Sequence, residues 1–340
     1  MNRNEGKIVL GHGNGGPMMH DLIKDLFLKY FGNVIINEQT DAAVFPVKSQ
    51  KLAFTTDSYV IDPIFFPGGN IGKLAVCGTV NDLAVSGAEP CYLSVSFIIE
   101  EGFAMKDLEV IVKSLAEEAQ KANVLIVTGD TKVVNNGKCD KLFINTAGIG
   151  FVSKKNELIS KALNINPGDV ILINGTIGDH GMAVMNERES FKFKMKVISD
   201  CASLNKLIHE ILEQSSTVKF MRDPTRGGVA GVLNELSEKI YMGIEIDESL
   251  LPVNKGVKAM CELLGYDPLH IANEGKVLIV ADEQESKYIL EIMQKNSLGT
   301  NSAIIGRVVS DHPGKVALKT LAGGHRIVGS LVGDPLPRIC

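Results

Sequence analysis

Five aspartates carry the clearest chemistry in this 340-residue chain: Asp41, Asp57, Asp82, Asp130 and Asp223. Each has Thr, Asn, Gly or Pro as a neighbour. Such neighbours put a carboxylate at the end of an element or inside a small-residue helix, where a ligand can approach the backbone. Oxygen donors spread over several short elements suit Mg²⁺, which takes one or two carboxylates and completes its shell with phosphate oxygens and water. No GxxxxGK[ST] loop occurs: Gly72-Lys73 has Pro67 where the first glycine is needed and runs on to Leu74. A bound nucleotide would therefore be held through acidic side chains and a bridging cation.

The second chemical feature is the last residue, Cys340, in the run Gly333-Asp334-Pro335-Leu336-Pro337-Arg338-Ile339-Cys340. Two prolines favour an extended path, so the segment from Gly333 spans roughly 20 Å. A prenylation signal needs cysteine fourth from the end, so that reading fails. The adjoining α-carboxylate disfavours a thiolate and Arg338 offsets part of that. The thiol reads as a carrier that is worked upon rather than as an activated nucleophile.

The elements that must position these groups follow from pattern. Residues 7–10 suggest a short strand, Met18 to Tyr30 a helix, and Val34 to Asn37 a second strand. Gly11, Gly13 and Gly16 then form a GxGxxG, a dinucleotide-binding lookalike, or else a glycine-rich loop that closes over phosphate. A strand over Lys51 to Thr56 leads into Asp57. Ile71 to Ser86 is a helix that is apolar nearly all round and hence buried, yet it carries Asn81 and Asp82 at its middle. A carboxylate there is costly unless it is paired or bound to a cation. A strand over Tyr92 to Ile99 and a helix over Met105 to Ala122 precede a strand over Val124 to Val127. That strand is read as ending in Thr128-Gly129-Asp130-Thr131-Lys132, which would place a carboxylate and free N–H groups at a sheet edge. The strand Lys141 to Phe151 completes the first half. Domains are expected at 1–155 and 156–333, with a flexible tail over 334–340. In the second half the blocks around Asp179-His180, Asp223 and Glu274 stand beside glycines at element ends.

Composition excludes several function classes. The chain is 45% hydrophobic with a net charge of −5, which gives no electrostatic footprint for nucleic acid or anionic membranes. No apolar run approaches the ~20 residues that span a bilayer. The N-terminal residues show no signal-peptide pattern. The six cysteines form no CxxC pair or zinc spacing. The reading is a reduced, cytoplasmic protein.

The runs TTDSYVIDPIFFPGG, IGKLAVCGTVNDLAVSGA, TGDTKVV, GDHG, RDPTRGG and ANEGK, with the terminal PRIC, resemble the HypE family of hydrogenase maturation proteins. That family is part of the wider group that includes aminoimidazole ribonucleotide synthetase and selenophosphate synthetase. The resemblance extends from the HGNGG loop to Cys340. It implies an N-terminal α/β domain with a mixed sheet, a C-terminal α+β domain, and a homodimer whose N-terminal sheets pair into a barrel. It also implies a reaction: a HypF-type carbamoyltransferase loads a carbamoyl group on Cys340, and ATP drives its dehydration to a thiocyanate. The cyano group then passes to iron on a HypC–HypD complex. By the same resemblance, Asp57, Asp82, Asp130 and Asp223 hold Mg²⁺, and Asp41, Asn81, Gly129 and Thr131 join them around ATP. Lys132 stabilises developing charge, and Glu274 is the base toward the carbamoyl nitrogen. His12 and His180 are further candidates near the cleft. Two rival readings are a non-catalytic partner captured through its C-terminal tail and a nicotinamide oxidoreductase built on Gly11, Gly13 and Gly16.

Overall fold

The computed structural model describes residues 6–13, 16–39, 42–43, 45–47, 51–188, 196–330 and 338–340. Asp41 and the tail over 331–337 lie outside the described residues.

The first stretch departs from expectation. Lys7 makes only an isolated bridge to Ala104, and a 3-10 turn takes Leu10–Gly13. A second 3-10 turn, Ile36–Glu38, stands where a strand is expected. Without flanking strands the glycine triplet is not a dinucleotide-binding turn. Between the turns, α1 (Pro17–Leu22), a π-helical stretch (Ile23–Phe27) and α2 (Leu28–Phe31) follow one another directly. They bury Leu22, Leu26, Phe27 and Phe31, and Phe27 stacks on Phe97 with ring centroids 5.1 Å apart.

The first sheet takes β1 (Lys51–Tyr59), β4 (Ala88–Glu100), β5 (Leu125–Val134) and β6 (Leu142–Val152). A two-residue-per-strand hairpin, β2 (Phe65–Phe66) with β3 (Gly69–Asn70), intervenes after β1. The order is β1-β6-β4-β5. Only β4 and β5 run parallel, so the sheet is mixed. A parallel pair needs a crossover, and α4 (Met105–Ala122) provides it, burying Leu108, Ile111, Val112, Leu115, Ala119 and Ala122 at helical spacing. The helix α3 (Ile71–Val85) lies on the same side of the sheet. It is buried nearly all round, and Asn70 caps it by accepting from the Gly72 and Lys73 N–H groups. Helices cover one face of this sheet. The other has no helical cover among the described residues: Ile35, Ala43 and Phe45 pack on Tyr92, Val127 and Phe151, while Leu52 and Phe54 stay 50% and 71% exposed.

Strand β5 runs seven residues past its expected end, from Val127 to Val134. Gly129 is the reason for the misreading. A Cβ there would lie 2.5 Å from the Val95 carbonyl oxygen of β4, so this glycine permits close strand approach rather than a turn. Asp130 is therefore mid-strand on an edge strand.

The connection from Val152 to Val170 contains one 3-10 turn, Ile159–Lys161; the expected division at 155/156 falls within it. The second sheet has seven strands: β7 (Val170–Ile173), β8 (Val218–Arg222), β9 (Gly243–Asp247), β10 (Leu278–Ala281), β11 (Ala303–Val309), β12 (Val316–Lys319) and β13 (His325–Val328). Their order is β13-β12-β9-β11-β7-β10-β8. β7 and β10 are buried along their whole length, which explains their uninterrupted apolar runs. The helices are α5 (Asp179–Glu187), α6 (Asn205–Gln214), α7 (Gly228–Ile240), α8 (Lys255–Leu264) and α9 (Glu283–Lys295). The apolar core around α3 also takes residues of α5 and α8 and Ile339 of the tail. Among the described residues, no helix is long and apolar enough to cross a membrane.

Candidate active site

Helix α3 brings two polar residues into the interior, and they face different ways. Asn81 is 1% exposed. Its Nδ2 donates to the Ala202 carbonyl at 3.0 Å and the Glu274 carbonyl at 3.3 Å, while Oδ1 accepts from the Leu204 N–H at 2.8 Å. The amide is thus committed to the backbone of the second half and ties the two halves together. Asp82 turns toward β1, where Oδ2 accepts from Thr55 Oγ1 at 2.9 Å. Thr55, Asp57 and Tyr59 share one face of β1 by the period of two. The Tyr59 hydroxyl donates to Asp57 Oδ2 at 3.2 Å.

The second half supplies Asp223, directly after β8, and Glu274; both side chains are buried. Burial, and then the Asp57 charge, push Asp82 up to about 6. Burial, then Asp82, push Asp223 up to about 7. Glu274 is carried well above the usual carboxylate range by burial, then by Asp223 and Asp200. Acids crowded against their own repulsion mark a functional site more often than a structural one. Among the described residues, no three His, Cys, Asp or Glu side chains close into a complete metal cage. Asp57, Asp82 and Asp223 instead form a partial shell of hard oxygen donors, the kind that Mg²⁺ completes with phosphate oxygens. A cavity of about 400 Å³ opens over Asp82 and Asp223, with Arg222 and Lys239 in its wall.

Glu274 is held in place by a buried ion pair. Asp200 accepts from Lys276 Nζ at 3.0 Å and from the N–H groups of Glu274 and Gly275 at 3.1 and 3.3 Å. Burial alone would raise Asp200, but the Lys276 ammonium, together with the Glu274 N–H that the carboxylate accepts, outweighs it and holds the carboxyl below its ordinary value. Asp200 and Tyr59 are site residues that the sequence reading missed. Asp200 lies more than 70 residues from the loop it anchors, and nothing local marks it.

Gly129, Asp130, Thr131 and Lys132 are placed elsewhere, on β5. In register, Asp130 and Lys132 pair with Ser96 and Ile98 of β4, on the uncovered face. Asp82 lies on the helix-covered face, over β1. Three strand spacings of about 4.8 Å separate β5 from β1. Asp130 accepts from Thr131 N–H at 2.8 Å and from Lys132 Nζ at 3.2 Å, while the Thr131 side chain is buried on the other face. The chain therefore gathers Asp57, Asp82, Asp223 and Glu274 and leaves Asp130 and Lys132 apart. His12 packs in its own turn, where Nδ1 accepts from the Val9 N–H at 3.0 Å.

The tip of the tail differs from the expected free arm. Val60 N–H donates to a Cys340 α-carboxylate oxygen at 3.1 Å, and Asp62 N–H donates to the Arg338 carbonyl at 3.2 Å. Arg338 returns a bond from Nε to the Val60 carbonyl at 2.9 Å and pairs with Asp140. Ile339 is buried. Residues 338–340 thus lie against the chain that continues β1, three residues beyond Asp57.

Comparison with known proteins agrees with this architecture. Residues 39–152 match the model for the N-terminal domain of AIR synthase related proteins, and residues 166–319 match that for their C-terminal domain. A Bradyrhizobium diazoefficiens protein named carbamoyl dehydratase HypE is 47% identical over 336 residues, covering 98% of this chain and 96% of its own. A crystal structure of the hydrogenase maturation protein HypE in complex with ATP superposes with a TM-score of 0.93 at 43% identity, covering 98% of this chain and 99% of the other. The structure of a HypE–HypF complex matches at a TM-score of 0.80 and 48% identity, over 91% and 99% of the two chains. With similarity of this extent over both domains, the chain belongs to the HypE family of the AIR synthase related proteins.

Proposed function

We propose that this chain is an ATP-dependent carbamoyl dehydratase of hydrogenase maturation, and that its substrate is its own C-terminal cysteine, carbamoylated on sulfur. The observation that carries the reading is the seat of residues 338–340 against Val60 and Asp62, on the chain that continues the strand carrying Asp57. Full-length similarity to proteins named carbamoyl dehydratase HypE supports the same assignment.

The reaction balances as follows. The carbamoyl oxygen attacks the γ-phosphorus of ATP and ADP leaves. The C–O bond then breaks, the oxygen departs within phosphate, and the two N–H protons are lost as C≡N forms. Glu274 is the group assigned to take a proton from nitrogen: its raised affinity for protons makes its anion a strong base, and Asp200 and Lys276 fix the loop that carries it. Asp57, Asp82 and Asp223 would hold magnesium, which would neutralise charge on the triphosphate. Arg222 and Lys239 line the adjoining cavity, where positive side chains favour phosphate.

Asp130 and Lys132 enter this scheme through a homodimer. They project from the uncovered sheet face, so association there would carry them into an interface and let two subunits build one site. HypF, seen in complex with a relative, would supply the carbamoyl group, and a HypC–HypD complex would accept the cyano group. A cytoplasmic location suits free cysteines at all six positions.

The deciding experiment is the mass of the C-terminal peptide after carbamoylation, before and after ATP, with the carbamoyl oxygen labelled as ¹⁸O. Loss of one water with the label recovered in phosphate is the expected result. Label recovered in free carbamate, with unmodified Cys340, would overturn the reading.

A further inference from the structure

The end of the chain is held by a histidine that the proposed reaction does not use. His180, in the first turn of α5, is wholly buried. Its Nε2 lies 2.7 Å from the Ile339 carbonyl oxygen. A carbonyl only accepts, so Nε2 carries the proton and Nδ1 is the acceptor. Nδ1 is 2.8 Å from Ser199 Oγ, and the same hydroxyl oxygen accepts from the Cys201 N–H at 3.1 Å, so the Ser199 proton points at the ring. Phe66 meets the imidazole edge-on at 5.4 Å. Burial pushes His180 below its ordinary value, in keeping with a neutral ring of one tautomer.

This arrangement answers a hydrogen-bonding need of the tail. Arg338 takes a left-handed φ of 55°, so the tip is no regular strand and each of its backbone acceptors finds its own partner. The Arg338 carbonyl accepts from Asp62 N–H and the Cys340 α-carboxylate from Val60 N–H, and Arg188 Nη2 also donates to the Arg338 carbonyl at 3.0 Å. The carbonyl of Ile339 faces away into the core, where an unpaired acceptor would be costly. His180 is its partner. We infer that His180, oriented by Ser199, is a positioning residue that seats the C-terminal arm and sets the register in which Cys340 is presented at the end of β1.

The inference draws its catalytic meaning from the proposed function, but the seat can be measured without turnover. Carboxypeptidase Y removes Cys340 only from an unseated arm, so its initial rate, read by intact mass, follows the unseated fraction. In the full chain, His180→Ala is expected to speed release roughly fivefold, the worth of one buried hydrogen bond. His180→Gln, which keeps a donor at similar reach, is expected to restore most of the protection, and Ser199→Ala to shift the rate in the same direction as His180→Ala by less. Unchanged release in His180→Ala would overturn the inference. Should that variant melt early, a cycle with a chain ending at Pro337 decides instead. His180→Ala is expected to lower the Tm less in the shortened chain than in the full one, and equal losses in both would overturn the seat. The dehydration reading fails separately, on the mass of the carbamoylated peptide.

Discussion

At the scale of single residues, the site is defined by carboxylates that hold protons against their usual habit. Asp223 sits at about 7 and Asp82 at about 6, against ordinary values near 3.9. A folded-state value above the unfolded one stabilises the fold fully below the unfolded value, and that stability is lost as pH rises through the folded value. Without added cation, the protein is therefore predicted to lose stability between about pH 4 and pH 8. Asp223→Asn, which carries no charge at any pH, should raise the Tm at pH 8 by roughly 2–6 °C and change it little at pH 5. Melting curves in EDTA at the two pH values test this, and a lower Tm at pH 8 would contradict it. Glu274 invites a kinetic test. Glu274→Gln keeps the size and the loop contacts of the backbone but cannot take a proton. It is expected to slow conversion of the carbamoylated Cys340 about 10²–10⁴-fold with ATP affinity kept, measured in single turnover. A rate within twofold of the parent would remove Glu274 from the proton transfer.

At the scale of elements, α3 organises the site because it is buried on every side and still carries Asn81 and Asp82. Its fit against β1 depends on Gly78. A Cβ at that position would lie 2.2 Å from the Tyr59 hydroxyl oxygen, so Gly78→Ala is predicted to cost about 1–3 kcal/mol by overpacking and to displace the hydroxyl that bonds Asp57. Adding Tyr59→Phe frees the space, so the double variant should melt above the Gly78→Ala single variant; additive losses would refute the clash. Much of this element was legible beforehand. The continuous apolar pattern of 71–86 announced a buried helix, and the spacing in 105–122 gave α4 its limits. Legibility failed where a residue's role depends on a distant partner. Gly129 reads as a strand end because the Val95 carbonyl that demands a glycine is more than 30 residues away. The glycines at 11, 13 and 16 suggested a dinucleotide-binding turn because the absence of strand pairing is not written locally. Asp57, Asp82 and Asp223 could be picked from their neighbours and Glu274 from the family resemblance, whereas Asp200, Tyr59 and the seat of Ile339 emerge only from packing.

At the scale of the whole molecule, the first sheet as described has two open edges and an apolar face without a helical cover. Among the described residues its outer strands β1 and β5 each pair on one side only, and unpaired edges are a liability that folds remove or protect. Its uncovered face carries Phe54 at 71% exposure and Leu52 at 50%, a large apolar offering to water. Two copies closing face to face would answer both problems at once. The edges would meet edges, the aromatic residues would fill an interior, and the sheets would form one eight-stranded closure of the kind whose lumen side chains just fill. The carboxylate inventory points the same way, since Asp130 and Lys132 leave the other acids of their own subunit for this face. Phe54→Glu, which places a charge amid that apolar surface, is therefore predicted to shift the protein from dimer to monomer in light scattering after size exclusion. If two subunits complete one site, the same variant should lose dehydration activity by at least tenfold while the individual domains keep their Tm to within a few degrees. Monomeric mass with full activity would show that one subunit suffices, and Asp130 and Lys132 would then have to act where they stand, three strands from the remaining acids.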